Sequence, residues 1–286
     1  MAIEHEAVPD QATLWNGHAG HVWVEAQEMI GRLFKPIEEP LVEAIIENRG
    51  REVLDIGCGT GGTTRAMARH LGSDGHCTGV DISAPMIDAA RARTREQGLS
   101  ATFLLADAQR HDFGRAVFDT ILSRFGVMFF DDPVQAFANL RRAAKAGALL
   151  RFVAWRDPAE NPFMTTAERA AAPFLPDMPK RAPDAPGQFA FADRDRVRRL
   201  ISQSGWERIE IQPADFSCSL PESELDHYFT RFGPLGILLG EADEATRNRI
   251  VAAVRPAFSP FVHGDEVRFT AACWMISARS PSIAED

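Results

Sequence analysis

Between residues 53 and 155, short apolar, β-rich runs alternate with stretches of helical periodicity, the pattern of βαβ units wound into a mostly parallel sheet. The predicted strands are EVLDIGC (52–58), HCTGVDI (76–82), ATFLLAD (101–107), FDTILSR (118–124) and ALLRFVAW (148–155). Their near-continuous apolar character is that of strands covered on both faces. Between the fourth and fifth, Asp132 as N-cap, Pro133 at the first helical position, Val134, Phe137, Leu140 and Ala144 along one stripe, and Gly147 as terminator spell a helix. A second helix runs from Ala84 to about Gln97 after Ser83, its RARTRE arginines forming a solvated face.

Upstream, residues 12–48 read as helical, with Leu41, Ile45 and Ile46 spaced to cover the sheet edge and Trp15 and Trp23 near the start. Downstream, seven prolines in 157–192 (158, 162, 173, 176, 179, 183 and 186) mark an irregular excursion. A capped helix follows, with Asp193 ahead of Val197, Leu200 and Ile201 and Gly205 at its end. Then come a strand at 206–212, two helical patterns in 222–256 and a last strand at 266–278. The expected division is a helical N-terminal cover (1–50), a cofactor-binding core (51–156), a lid insertion (157–192) and a return to the core (193–286) that carries a second helical insertion at about 213–265.

Composition narrows the class. With 286 residues, 45% hydrophobic and 25% charged, the chain is long enough for one large globular domain and unlike disordered or disulfide-scaffold sequences. Its formal charge of −9 repels phosphate backbones and anionic lipid, so neither a nucleic-acid partner nor a membrane is expected. Cys58, Cys77, Cys218 and Cys273 are far apart and form no CxxC pair, which suggests no metal site and fits a reducing, cytoplasmic location. The opening MAIEHEAVPDQ carries acids where an export signal needs basic residues and an apolar run, and FGVMFF (125–130) is far too short to span a bilayer.

The candidate chemistry sits at the strand ends. EVLDIGCGTGG puts Gly57, Gly59 and Gly61 in the turn after the first strand, where backbone must approach a ligand without Cβ obstruction, with Asp55 just ahead. Gly57, Gly59 and Gly62 also satisfy GxGxxG, which leaves a nicotinamide-dependent oxidoreductase open as the alternative. Asp81, at the end of the second strand, can accept hydrogen bonds from both ribose hydroxyls. Asp107 and Ala108 end the third strand at the same sheet edge, suited to an exocyclic amine. Three carboxylates at three successive strand ends are poorly explained by packing.

At these residues the chain resembles class I S-adenosylmethionine-dependent methyltransferases, in particular the small-molecule group of quinone-biosynthesis C-methyltransferases, over about 50–155. The resemblance implies a doubly wound, seven-stranded Rossmann-like α/β sheet with S-adenosyl-L-methionine as cofactor. It implies that Asp55 to Gly61 wrap the methionine end, Asp81 binds the ribose, Ile82 flanks the adenine, Asp107 with the Ala108 backbone holds the adenine amine, and Ser123 and Arg124 lie beside the methyl group. The fourth strand ends in SRFG, unlike the Asn/Asp-Pro-Pro-aromatic motif of base-modifying relatives. No carboxylate cluster for a magnesium ion is present there.

The expected reaction is in-line methyl transfer to a small acceptor, for which positioning is the main requirement. A non-catalytic cofactor-binding module is the remaining alternative, and a homodimer is compatible with all three. Should a base be needed, His18 and His21 in WNGHAGHVW are the first candidates and His227 the next, against the competing reading of surface histidines. Trp15 is a candidate cofactor contact, whereas Trp23 reads as core and Cys58 as a packed side chain. Phe163, Met164, Phe174, Leu175, Phe189, Phe191, Phe229, Phe232, Leu235 and Ile237, in the two insertions, are candidates for a lid over an apolar acceptor or for packing on the sheet.

Overall fold

The structure, a computed structural model, describes residues 10–175 and 185–282. Its sheet has the order β3-β2-β1-β4-β5-β8-β6, with a two-residue β7 paired to β8. The first five strands are β1 (Glu52–Ile56), β2 (His76–Asp81), β3 (Thr102–Leu105), β4 (Phe118–Arg124) and β5 (Ala144–Trp155), all parallel to one another. β6 (Glu207–Pro221) and β8 (Glu266–Arg279) close the sheet antiparallel, and β7 is Val262–His263. The α/β, mostly parallel, Rossmann-like architecture expected from the sequence is therefore present, with seven strands on the main path.

Four helices precede the sheet: α1 (Gln11–Asn16), α2 (His18–Glu25), α3 (Gln27–Leu33) and α4 (Lys35–Asn48). α5 (Gly62–Leu71) follows β1, α6 (Ala84–Glu96) follows β2 and α7 (Pro133–Ala143) leads into β5. After β5 come α8 (Pro162–Ala171) and α9 (Arg194–Gln203), and after β6 come α10 (Leu225–Arg231), α11 (Gly233–Glu241) and α12 (Glu244–Val254). Leu41 and Ile45 on α4 are buried against the sheet, but Ile46 is 53% exposed, because it falls about 100° further round the helix.

Caps decide several boundaries. Asp132 Oδ1 accepts from Gln135 N, and Asp193 Oδ1 accepts from Asp195 N and Arg196 N, as the sequence predicts. α7 nevertheless ends at Ala143. Ala144 is already extended, and Gly147 is a left-handed kink within β5 rather than a helix terminator. Ser83 does not cap α6. Its Oγ donates to the Trp15 carbonyl at 2.6 Å, and the cap is supplied by Asn16, whose Oδ1 accepts from Ala84 N at 2.8 Å while its Nδ2 donates to the Ile82 carbonyl at 2.9 Å. The N-terminal helices are thereby latched onto the end of β2.

The second insertion is shorter than expected, since residues 213–221 continue β6 in register with β8 up to Pro221 opposite Glu266. Three helices, not two, fill the stretch that remains. Nor do the described candidate lid residues form a lid. Phe163, Phe191, Phe229 and Leu235 are at most 2% exposed. Phe163 stacks on Phe269 at 3.9 Å, and Phe229 stacks on Phe258 at 5.4 Å. Burying each such ring contributes about 1.5–3 kcal/mol, so these residues fasten the insertions to the sheet through the one core the two share. Met164, Leu175, Phe189 and Phe232 pack partly buried against that core, and Phe174 is exposed. Pro176, Pro179, Pro183 and the Ile237 side chain lie outside the described residues.

Candidate active site

One cleft opens at the carboxyl ends of β1 to β4, roofed by α1 to α3. Its floor is the glycine turn. Gly57, Gly59 and Gly61 have φ of +63°, +54° and +74°. At Gly57 a Cβ would meet Gly126 Cα at 2.5 Å, and at Gly61 it would meet the Phe103 ring at 2.8 Å. Backbone from β1 and β4 meets at the first position, and the turn packs on the side chain behind β3 at the second.

Asp55, Asp81 and Asp107 all line this cleft, as do Trp15, Gly57, Gly59, Ile82, Ala108 and Arg124. Asp81 accepts from Gly59 N through Oδ2 at 2.8 Å and from Ser83 N through Oδ1 at 2.9 Å, so it ties the glycine turn to the end of β2. Each oxygen retains a lone pair for a ligand hydroxyl. Burial raises its pKa, against these backbone donors and that of Ile82. Asp107 Oδ1 accepts from Gln109 N at 2.9 Å, and Gln109 Oε1 accepts from Asp132 N at 2.8 Å, which joins the turn after β3 to the start of α7.

Asp55 is 1% exposed, and its Oδ2 accepts from the Thr64 hydroxyl at 2.6 Å. Burial pushes its pKa up to about 7, opposed by that hydrogen bond and by the Arg124 guanidinium. Burial in turn lowers the pKa of Arg124, while Glu38 and Asp55 favour its charged form. Arg124 donates a long 3.5 Å hydrogen bond to the Phe34 carbonyl and stays on the cleft wall. Burial raises the Cys58 thiol well above its ordinary value, in keeping with a packed side chain rather than a nucleophile.

Other candidates lie elsewhere. Ser123 is fully buried behind the wall, where its Oγ donates to the Ile56 carbonyl at 2.8 Å and accepts from Val127 N, joining β4 to β1. Gly61 is likewise in the turn but not on the lining. His18, His21 and His227 are exposed and outside the cleft. A Cβ at Gly240 would stand 3.6 Å from His18 Nε2, so His18 lies over α11 instead. Among the described residues, no histidine, lysine, glutamate or tyrosine lines the cleft.

The sequence reading missed most of an aromatic wall. Trp23, Phe34, Phe125, Phe129 and Phe130 join Trp15 on the lining. Trp15 meets Phe129 edge-on at 5.1 Å and Trp23 at 6.1 Å, and Trp23 in turn meets Phe232 at 5.4 Å. Phe125, just past β4, has φ of +72°, a left-handed conformation that costs a bulky residue about 1–3 kcal/mol. It stacks on Trp155 at 4.6 Å with 6° between planes, and Phe34 meets both rings edge-on. No sequence rule marks a phenylalanine for that backbone, although the SRFG string did place it at a strand end.

An open, doubly wound α/β sheet with a glycine turn and three carboxylates at its strand ends defines a nucleotide-cofactor-binding protein of the Rossmann-like class. Residues 53–147 match the family model described as "Methyltransferase domain", and this segment is a class I S-adenosylmethionine-dependent methyltransferase domain. The chain is 33% identical over 120 residues to aklanonic acid methyltransferase DauC of Streptomyces sp. (strain C5), covering 42% of this chain and 54% of that protein. It is 28% identical over 169 residues to the ubiquinone/menaquinone biosynthesis C-methyltransferase UbiE of Burkholderia vietnamiensis (strain G4 / LMG 22486), covering 56% and 69%. The chain thus spans about half the length of the first of these relatives. Among solved structures, the [4+2]-cyclase SpnF shares the fold with a TM-score of 0.58 at 18% identity, covering 97% of this chain and 98% of that one.

Proposed function

We propose that this chain transfers the methyl group of S-adenosylmethionine to the O, N or C atom of a small organic acceptor with an aromatic or apolar body. The observation that carries this reading is the meeting, in one cleft, of the three strand-end carboxylates with the wall of Trp15, Trp23, Phe34, Phe125, Phe129 and Phe130. The residues fit the cofactor: Asp81 keeps lone pairs free beside Ile82, Asp107 and Ala108 stand at the next strand end, and the Cβ-free turn leaves room beneath. Asp81 and Asp107 would hold the nucleoside, and Gly57 to Gly61 with Asp55 the methionine end.

S-adenosylmethionine supplies a methyl group on a cationic sulfonium, activated for in-line displacement. The protein's own contribution is then placement. The aromatic wall excludes water and orients the acceptor, an effect for which well-aligned reactants can gain about 7–11 kcal/mol. Trp and Phe faces also favour a nearby cation. With the histidines outside the cleft, the proton passes to solvent, and the acceptor is one that needs little base assistance.

The net charge of −9 supports a small acceptor over nucleic acid. Four free, buried cysteines support a cytoplasmic location. No helix among the described residues is long and apolar enough to cross a membrane. Calorimetry with S-adenosylhomocysteine and NAD in parallel tests the cofactor, and binding of NAD alone would overturn the reading. Tight cofactor binding without transfer to any member of a broad acceptor panel would leave a non-catalytic module.

A further inference from the structure

The cleft has a basic side that the reading above does not use. Arg65 on α5, Arg93 on α6 and Gln27 on α3 all line it. Arg65 is only 8% exposed, yet of its five N–H groups one bond is made, from Nη1 to the Thr60 carbonyl at 2.7 Å. Its Nε is buried without an acceptor, and Gln27 Oε1 is buried without a donor. Arg93 reaches Glu28 at 3.5 Å, a loose pair whose carboxylate is 75% exposed.

The electrostatic surroundings make Arg65 costly to bury. Burial lowers its pKa, and Arg93 and Arg69 lower it further, while Glu38 is the acidic group that acts in its favour. Glu38 itself is held by Lys35. A buried cation without a carboxylate partner is disfavoured by several kcal/mol. Anchoring the Thr60 carbonyl needs a single donor and no charge, so that contact does not account for a guanidinium here. An anion arriving in the cleft would account for it, because the planar fork of Nε and Nη2 matches a carboxylate with two parallel hydrogen bonds.

We propose that Arg65, with Arg93 beside it, is the anchoring point for a carboxylate that a ligand carries into the cleft, with Gln27 Oε1 accepting from a donor next to that carboxylate. The proposal rests on the reading that the cleft binds S-adenosylmethionine and an acceptor. The carboxylate has two sources, the amino-acid tail of the cofactor or an acidic group on the acceptor.

Calorimetry on the full chain, wild type and Arg65→Met, separates them with three probes. These are S-adenosylhomocysteine; 5′-methylthioadenosine, which keeps the nucleoside and thioether without the amino-acid tail; and benzoate added to protein loaded with S-adenosylhomocysteine. Loss of a charge-assisted pair predicts about tenfold weaker binding or more. If that loss falls on S-adenosylhomocysteine and spares 5′-methylthioadenosine, the carboxylate is the cofactor's. If it falls on benzoate and spares both nucleosides, the carboxylate is the acceptor's. Equal effects on both nucleosides, or no change with any probe in a folded variant, overturn the proposal. Should Arg65→Met melt at assay temperature, Arg93→Met at the more exposed position is read in the same way. Wild-type protein that binds neither nucleoside would instead sink the proposed function itself.

Discussion

Around β1, β2 and β3 polar groups gather at the strand ends, tied to one another and still holding lone pairs toward the cleft. Around β6 and β8 the helices of the insertions bury stacked aromatic rings and present none of the described ones to it. The first region keeps Asp55 and Asp81, with Arg124 from the end of β4, in places where burial disfavours their charges. The second spends its side chains on packing, as with Phe163 on Phe269. The difference separates what a ligand needs from what the fold needs, and it can be attacked from either side.

The largest effect is expected at Gly57→Ala. A Cβ there would stand 2.5 Å from Gly126 Cα, backbone that cannot step aside, and φ is +63° as well. Binding of S-adenosylhomocysteine by calorimetry should be abolished while the far-ultraviolet circular dichroism of the sheet persists. Phe163→Ala should cost about 3–5 kcal/mol of stability in denaturant unfolding but leave the affinity of the folded fraction unchanged. A parallel loss of affinity would erase the contrast between the regions.

Asp81→Ala removes a carboxylate that holds Gly59 and Ser83 and faces the cleft, so affinity for S-adenosylhomocysteine should fall about a hundredfold, or about 2.7 kcal/mol. Unchanged affinity in the folded variant would refute its ribose role. Asp55 offers a pH test. Its folded-state pKa of about 7 lies above the ordinary 3.8, so the stability it contributes is complete below about pH 4 and is lost as pH rises to about 7. Asp55→Asn, neutral throughout, should therefore raise Tm over wild type at about pH 8 and gain least near pH 4, as thermal unfolding would show. The smallest effects are expected for His18→Ala and His21→Ala, whose pH–rate profiles should superimpose on wild type because both rings lie outside the cleft. A shifted limb in either would return that histidine to the mechanism.

Features legible in the sequence were those fixed by neighbours along the chain. Asp132 and Asp193 cap helices that begin at the next residue, and the strand-end carboxylates follow from strand boundaries that apolar runs define. The cap of α6 was not legible, since Asn16 lies 68 residues from Ala84 and no local pattern joins them. The extension of β6 was legible but overlooked. Phe216, Cys218 and Leu220 alternate with polar residues, and Cys218 and Leu220 are buried on one face. Trp23 reads as core and does pack partly buried against it, but its second place, on the cleft wall, is not legible, because it takes the turn between α1 and α2 to bring it beside Trp15.

The pairing of Pro221 with Glu266 has a consequence for how such a chain can change. The stretch from Glu222 to Phe261 leaves the sheet at Pro221 and rejoins it at β7, both ends paired to the same first residues of β8, so the separation that the insertion must bridge is set by the ribbon and not by its contents. Loop-closure cost grows only slowly with length, by about 0.6 kcal/mol per doubling. Segments of quite different size and surface could therefore be grafted at this rung, making it a natural joint for recombination that leaves the strand ends of β1 to β4 undisturbed.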